Sequence, residues 1–183
     1  VLKDSLGLPP LQSKTKKNDR NFESAEVGFK ITTAQGDWID SDYSKHINAL
    51  NVNLLLNHIN RFNNPRDIEI FKRLPQGANS LHDSIKEIMP YSGRNHIFKD
   101  KYFKLDESKI CKTITSHMKF DCNMYIHPNE PRGLSPREAA RIQSFPDTYF
   151  FRGSQNNWYK QIGNSVPPKL AKSIAKSIAA FLS

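Results

Sequence analysis

Short apolar pieces alternate with polar stretches along the chain, and their spacing predicts most of its elements. From Asn51 to Phe62, the residues Val52, Leu54, Leu55, Ile59 and Phe62 recur at helical spacing, so a helix is expected there. Asn64-Pro65-Arg66-Asp67 follows with an N-cap residue, a first-turn proline and an acid near the positive helix end. The helix it opens carries Ile68, Ile70, Phe71 and Leu74 and is stopped by Pro75-Gln76-Gly77. Phe29 to Ile39 holds apolar pieces broken by Gly36, which read as strand and turn. Ser80 with Asp83 is expected to cap a short helix ended by Pro90. Tyr102 to Tyr125 mixes aromatic and β-branched residues with basic ones, which predicts two or three strands, one of them carrying Cys111.

The last third has sharper signals. Ser135-Pro136-Arg137-Glu138 is a capping box with proline at the first helical position, and Pro146 disfavours helix at Phe145, so this helix should run to about Ser144. A final helix is expected from around Pro167-Pro168 to Leu182. Its apolar stripe is Leu170, Ala171, Ile174, Ala175, Ile178 and Phe181, with Lys169, Lys172 and Lys176 off it.

Composition narrows the function classes. The 183 residues include 27 Lys+Arg against 18 Asp+Glu, a net charge of +9, which favours a polyanionic partner. Basic and aromatic residues interleave at Arg94, His96, Lys99, Lys101, Tyr102, Lys104, Lys112 and Lys119, a pattern that fits contact with phosphates. No apolar run approaches the ~18 residues of a membrane span, and no signal peptide opens the sequence. Cys111 and Cys122 form neither a disulfide framework nor a Cys-x-x-Cys site, and the six histidines do not pair at zinc-ligand spacing, so no metal is expected. The start at Val1 suggests a processed or excised piece.

Two motifs identify a family. Arg132-Gly133-Leu134-Ser135-Pro136-Arg137-Glu138-Ala139-Ala140-Arg141-Ile142-Gln143-Ser144-Phe145-Pro146-Asp147 resembles the ninth conserved block of DNA cytosine-5 methyltransferases. Gln161-Ile162-Gly163-Asn164-Ser165-Val166-Pro167-Pro168 resembles the tenth, and the two stand in family order. Upstream, Val1 to Leu11 resembles the stretch that leads from the eighth block into the recognition domain. Asn57-His58-Ile59-Asn60-Arg61 and Ile70-Phe71-Lys72-Arg73-Leu74-Pro75-Gln76-Gly77 are similar to recurrent pieces of that domain. Tyr102-Phe103-Lys104-Leu105, followed by Lys112-Thr113-Ile114-Thr115, resembles the segment whose threonine meets the DNA backbone near the flipped base.

The resemblance implies an α+β chain in three parts. Residues 1–11 would connect from the catalytic domain. Residues 12–125 would form a small target-recognition domain of irregular strands and short helices. Residues 126–183 would return as helices of a Rossmann-like catalytic domain. Arg132, Glu138 and Arg141 are expected to be structural, joining the two domains. Asn164 and Ser165 are the expected contacts to S-adenosylmethionine, in a Gly163-Asn164-Ser165 turn whose helix-start amides would suit an anion or carboxylate. Thr113, Lys101, Lys104 and Lys112 are the expected contacts to double-stranded DNA.

The family's reaction flips a cytosine from the helix, adds a thiolate from a Pro-Cys block and uses a glutamate from a Glu-Asn-Val block. Ile110 precedes Cys111, Asp121 precedes Cys122, and Glu-Asn-Val and the glycine-rich first block do not occur. The chain is therefore expected to be inactive alone. Three readings follow: part of a one-chain methyltransferase, the smaller subunit of a split enzyme, or a stand-alone DNA-binding module. Gly163-Asn164-Ser165-Val166 is useful only beside a cofactor domain and argues against the third. Without an amino-terminal catalytic half, the stripe on the last helix should self-associate or fold back onto the recognition domain. The expected setting is the cytoplasm, or elsewhere inside the cell with DNA.

Overall fold

Within the stretch expected to be helical, Leu54–Ile59 forms a strand instead. In the computed structural model, which describes residues 2–14, 23–33, 41–50, 52–90 and 101–182, Gly28–Thr33 (β1) and Leu54–Ile59 (β2) pair antiparallel, with Gly28 opposite Ile59 and Thr33 opposite Leu54. Leu55 to Ile59 are all buried, so both faces of β2 are covered. A continuously buried run of that kind suits a strand packed on both sides, with Asn57 and His58 buried through specific hydrogen bonds, and its helical spacing is incidental. The ladder passes over Lys30 and Asn57 because Asn57 takes a left-handed φ of 56°. Asparagine tolerates that region better than most residues. Its side chain then pairs with a distant backbone, Nδ2 donating to the Phe151 carbonyl at 3.1 Å and Oδ1 accepting from the Phe151 amide at 2.9 Å. Gly28 allows the close approach of the two strands, since a Cβ there would lie 2.2 Å from the His58 carbonyl oxygen.

The helices include a short opening turn, α1 (Lys3–Leu6), and α2 (Asp42–Ile47), whose cap is reciprocal between Ser41 and Ser44. Next, α3 (Pro65–Arg73) starts as its sequence dictates, with the Asn64 side chain accepting from the Asp67 amide and Pro65 in the first turn. It buries Ile70 and Phe71 in a small cluster with Leu74, Ile85, Tyr102 and Ile126. The expected Ser80–Pro90 helix is only a 3-10 turn, Asp83–Ile85, capped by His82; Ser80 is instead buried. Among the described residues, Tyr102 to Tyr125 holds no strand. Single bridges, Asn79 with Phe103 and Lys104 with Ile126, and a 3-10 turn at Ser116–Lys119 replace the expected ladder. Tyr102, Leu105, Ile114 and Tyr125 are buried in the core, so their aromatic and β-branched character serves packing rather than pairing. Cys111 lies on irregular backbone, and burial pushes its thiol up to about 12, which makes it unreactive at neutral pH.

Among the described residues beyond 126, the regular elements are three helices joined by irregular segments. The α4 helix (Pro136–Ile142) has the full capping box, Ser135 Oγ accepting from the Glu138 amide and Glu138 accepting from the Ser135 amide. It ends two residues before the expected Ser144, which has a left-handed φ of 60°. An additional helix, α5 (Gln155–Asn164), starts at Ser154 and buries Trp158, Tyr159 and Ile162. The last, α6 (Pro168–Leu182), keeps its expected bounds. One core joins all three stretches of sequence, with Leu2, Ile59, Leu105, Tyr125, Leu134 and Ile162 among its members. A small antiparallel sheet among helices is an α+β arrangement. The turn at Gly36, and Arg94, His96 and Lys99, lie outside the described residues.

The expected fold-back of the last helix does not occur. No residue of α6 is buried, and Leu170, Ile174, Ile178 and Phe181 are 52%, 49%, 54% and 89% exposed. Its first turn is tied down, the Lys169 amide donating to Ser144 Oγ at 3.0 Å and the Lys169 ammonium lying over the Tyr43 ring. Among the described residues the core is built with α4 and α5 and includes none of α6.

Candidate functional site

Pro136 to Arg141 of α4 are all buried, including three charged side chains. Burying charges is costly unless each is paired. Arg132 meets Glu138 through Nη1 and Nη2, at 2.8 and 2.7 Å, and donates through Nε to Glu130 at 2.9 Å. Arg141 grips Asp147 twice at 2.9 Å. Arg137 is held by the carbonyls of Leu56, Pro146 and Tyr149. The electrostatics follow these partners. Burial alone would raise the Glu138 carboxyl, but Arg132 beside it holds it well below the usual carboxylate range. Burial lowers Arg137 to about 10, since its nearest carboxylate, Asp147, is 3.9 Å away.

This hub reaches the rest of the chain through residues to which the motifs assigned no role. His58 Nε2 lies 2.9 Å from the Pro9 carbonyl, so that nitrogen carries the proton, and Nδ1 accepts from Ser135 Oγ at 2.9 Å. Burial lowers the His58 ring to about 4, which keeps it neutral. The Leu11 amide donates to Glu130 at 2.8 Å, and the Tyr43 hydroxyl donates to the Arg141 carbonyl. Arg61 reaches the carbonyls of Met118 and Lys119 and lies over the Tyr159 ring.

His127, Glu130 and Glu138 offer three ligand atoms within 4.8 Å of one another. A guanidinium already serves both carboxylates. His127 Nδ1 accepts the amides of Asn129 and Glu130, so the proton sits on Nε2, the nitrogen that faces the carboxylates at 3.6 and 3.7 Å. A protonated nitrogen cannot ligate an ion, and the cluster is an internal salt link.

On the basic side, Thr113 is exposed while Ile114 beside it is buried as an anchor. The Tyr125 hydroxyl donates to the Thr113 carbonyl at 2.8 Å and accepts from the Thr115 amide at 3.2 Å. The Lys112 ammonium lies over the Phe103 ring at 4.5 Å, and Lys101 is half-buried nearby in sequence. Lys104 is placed differently from the other candidates, its ammonium turned inward onto the Phe71 carbonyl at 2.9 Å, where it helps close the end of α3. Burial lowers its pKa.

Asn164 and Ser165 lie at the end of α5, not at a helix start. The expected anion-holding amides are therefore absent there, and Pro167 and Pro168 contribute none before α6. A helix end presents carbonyls, which suit a positive group instead. Asn164 is exposed, and Ser165 Oγ donates to the Ile162 carbonyl at 2.7 Å. Gly163, one residue before, packs so tightly on the basic side that a Cβ would lie 2.3 Å from the Thr115 carbonyl carbon. The two candidate segments are thus immediate neighbours.

Residues 4–180 match the model of the C-5 cytosine-specific DNA methylase family. The chain belongs to that family. Among similar proteins, the methylase chain is 47% identical over 91 residues to the provisionally assigned type II methyltransferase M.OihORF3336P of Oceanobacillus iheyensis, covering 50% of this chain and 19% of that protein. It is 40% identical over 108 residues to the type II methyltransferase M.AgeI of Thalassovita gelatinovora, covering 59% of this chain and 24% of that protein. A solved structure of a prophage-encoded Escherichia coli protein, provisionally assigned as a DNA modification methyltransferase, matches all of this chain and 47% of its own, with a TM-score of 0.65 and 25% identity. The methylase chain thus spans less than a third of these curated relatives and about half of the solved one. Among its described residues, no helix is long and apolar enough to cross a membrane.

Proposed function

We propose that this chain is the DNA-reading and carboxy-terminal part of a cytosine-5 DNA methyltransferase whose catalytic cysteine lies on sequence outside it. The observation that carries the reading is the packing of Gly163 on Thr115, which sets the segment expected to meet DNA beside the segment expected to wall the cofactor. In this reading residues 12–125 recognise duplex DNA, with Thr113, Lys101 and Lys112 toward its backbone. Arg132, Glu138 and Arg141 hold that region to the helices that return to a Rossmann-like catalytic domain.

S-adenosylmethionine, when bound, supplies the methyl group for carbon 5 of cytosine. The carbonyl end of α5, with the exposed Asn164 and the half-buried Ser165, fits the positively charged part of that cofactor as one wall of its pocket. Neither Cys111 nor Cys122 is suited to attack the base, since burial raises both thiols. Methyl transfer from labelled S-adenosylmethionine to DNA tests the reading. The chain alone should give none, and adding a polypeptide that carries the family's Pro-Cys and Glu-Asn-Val blocks should restore it. Robust transfer by the chain alone would overturn the proposal.

A further inference from the structure

The loop from Thr113 to Ser116 is held from two sides. On one side the buried Tyr125 hydroxyl touches three groups: the Thr113 carbonyl at 2.8 Å, and the Thr115 amide and Thr115 Oγ1 at 3.2 Å each. A carbonyl only accepts, so the phenol gives its single proton to Thr113, and both Thr115 groups donate to the phenolic oxygen. On the other side α5 presses Gly163 against the backbone of Thr115 and Ser116, where an added Cβ would lie 2.3 to 2.4 Å from three backbone atoms. Ile114 is buried between these supports, and Thr113 alone of the loop's first three residues is exposed. Burial pushes the Tyr125 phenol up, so it stays a donor across the working pH range.

We propose that Tyr125 is a positioning residue for DNA contact: its hydroxyl, with α5 at Gly163 as backstop, fixes the loop so that the exposed Thr113 side chain meets the DNA backbone. This rests on the reading of residues 12–125 as DNA-recognising. Thr113 contributes a neutral hydrogen bond whose direction is set by backbone that Tyr125 holds. Tyr125 therefore acts only through Thr113 and never touches DNA itself.

A double-mutant cycle tests this, with binding of the whole chain to a fluorescent duplex oligonucleotide read by anisotropy across a salt series. Tyr125→Phe and Thr113→Val should each weaken binding about two- to tenfold, the value of one hydrogen bond. The double variant should be no weaker than either single variant, because both remove the same hydrogen bond to DNA. The slope against salt should stay as in the unaltered chain, since no charge is removed. Thr115→Val, which removes one bond and leaves the ring in place, should show the same pattern at smaller size. Tyr125→Phe binding normally while Thr113→Val binds weakly would overturn the positioning role and leave the DNA reading standing. Additive effects in the double variant would equally overturn it, because a general disruption of structure adds to the removal of the Thr113 hydrogen bond. If the unaltered chain binds no duplex, both readings fail together.

Discussion

Arg132 and Glu138 meet through two hydrogen bonds of 2.7 and 2.8 Å, with both side chains about 1% exposed. Removing Glu138 leaves the buried Arg132 with Glu130 alone as counter-ion and strips both Nη groups of their carboxylate. Glu138→Ala should therefore destabilise the chain by about 3–5 kcal/mol, measured by urea unfolding. The same substitution also removes the acceptor for the Ser135 amide, so α4 should lose helicity at its start. A destabilisation below about 1 kcal/mol would mean that the link is not the keystone its burial suggests.

Stability should fall on mild acidification because of His58. Its ring is held neutral in the fold to about pH 4, against 6.5 when unfolded. Between those values the unfolded chain binds more protons, so stability drops as pH falls from 6.5 toward 4 and is fully present above 6.5. The shift corresponds to a decrease on the order of 3 kcal/mol. Glu138 acts in the same direction further down, since the stability it contributes is lost as pH falls below the ordinary carboxylate range. Thermal midpoints from about pH 7 to 4 check this, and His58→Gln should flatten the upper part of the curve.

The candidate lysines should separate into two classes. Lys101→Ala and Lys112→Ala should weaken binding to every duplex alike and reduce the salt slope by about 0.9 for each phosphate no longer neutralised. Lys104→Ala should instead lower the thermal stability by about 1 kcal/mol by removing the bond to Phe71, with the salt slope little changed. Equal effects of all three on the slope would show that Lys104 leaves its inward position to reach DNA.

The exposed stripe of α6 should draw copies of the isolated chain together. Burying a side chain the size of Leu170, Ile174, Ile178 or Phe181 is worth about 1.5–3 kcal/mol, and contiguous patches of this kind seek cover. Sedimentation over a range of concentrations should show association that disappears in the variant carrying Ile174→Asp and Ile178→Asp. Both proteins sedimenting as monomers throughout would remove self-association from the account.

The capped helices were written plainly in the sequence. Ser135, Pro136 and Glu138 fix the start of α4, and Asn64, Pro65 and Asp67 that of α3, because cap geometry depends on neighbouring residues alone. Elements defined by distant partners were hidden. β2 read as helix because its apolar positions fit both periods, and only pairing with β1 and packing against α4 make it a strand. The start of α5 lacks an acid three residues after Ser154, Asn157 standing there instead, and so escaped notice. For the candidate site, the motifs pointed to Thr113, Asn164 and Ser165. They carried no sign that Tyr125 and Gly163 hold these segments together, since that proximity exists only after folding. Lys104 and Lys101 look alike in sequence, and the carbonyl that captures one of them is 33 positions away.

The bonds that close the α4 hub span long stretches of chain: 119 positions between Leu11 and Glu130, 98 between Tyr43 and Arg141, and 94 between Asn57 and Phe151. Closures of this length come late in folding, because chain entropy is given up before the interactions that reward it can form. During synthesis β1 and β2 emerge long before Ser135 or Phe151 has been made. Through that interval the Asn57 amide and the His58 ring have no protein partner at the hub, and Leu55 and Ile59 wait uncovered on a lone hairpin, a form marginal in water by itself. The growing chain is therefore most exposed to aggregation after β2 has emerged and before the residues of α4 and Phe151 follow, and it is their emergence that ends the hazard.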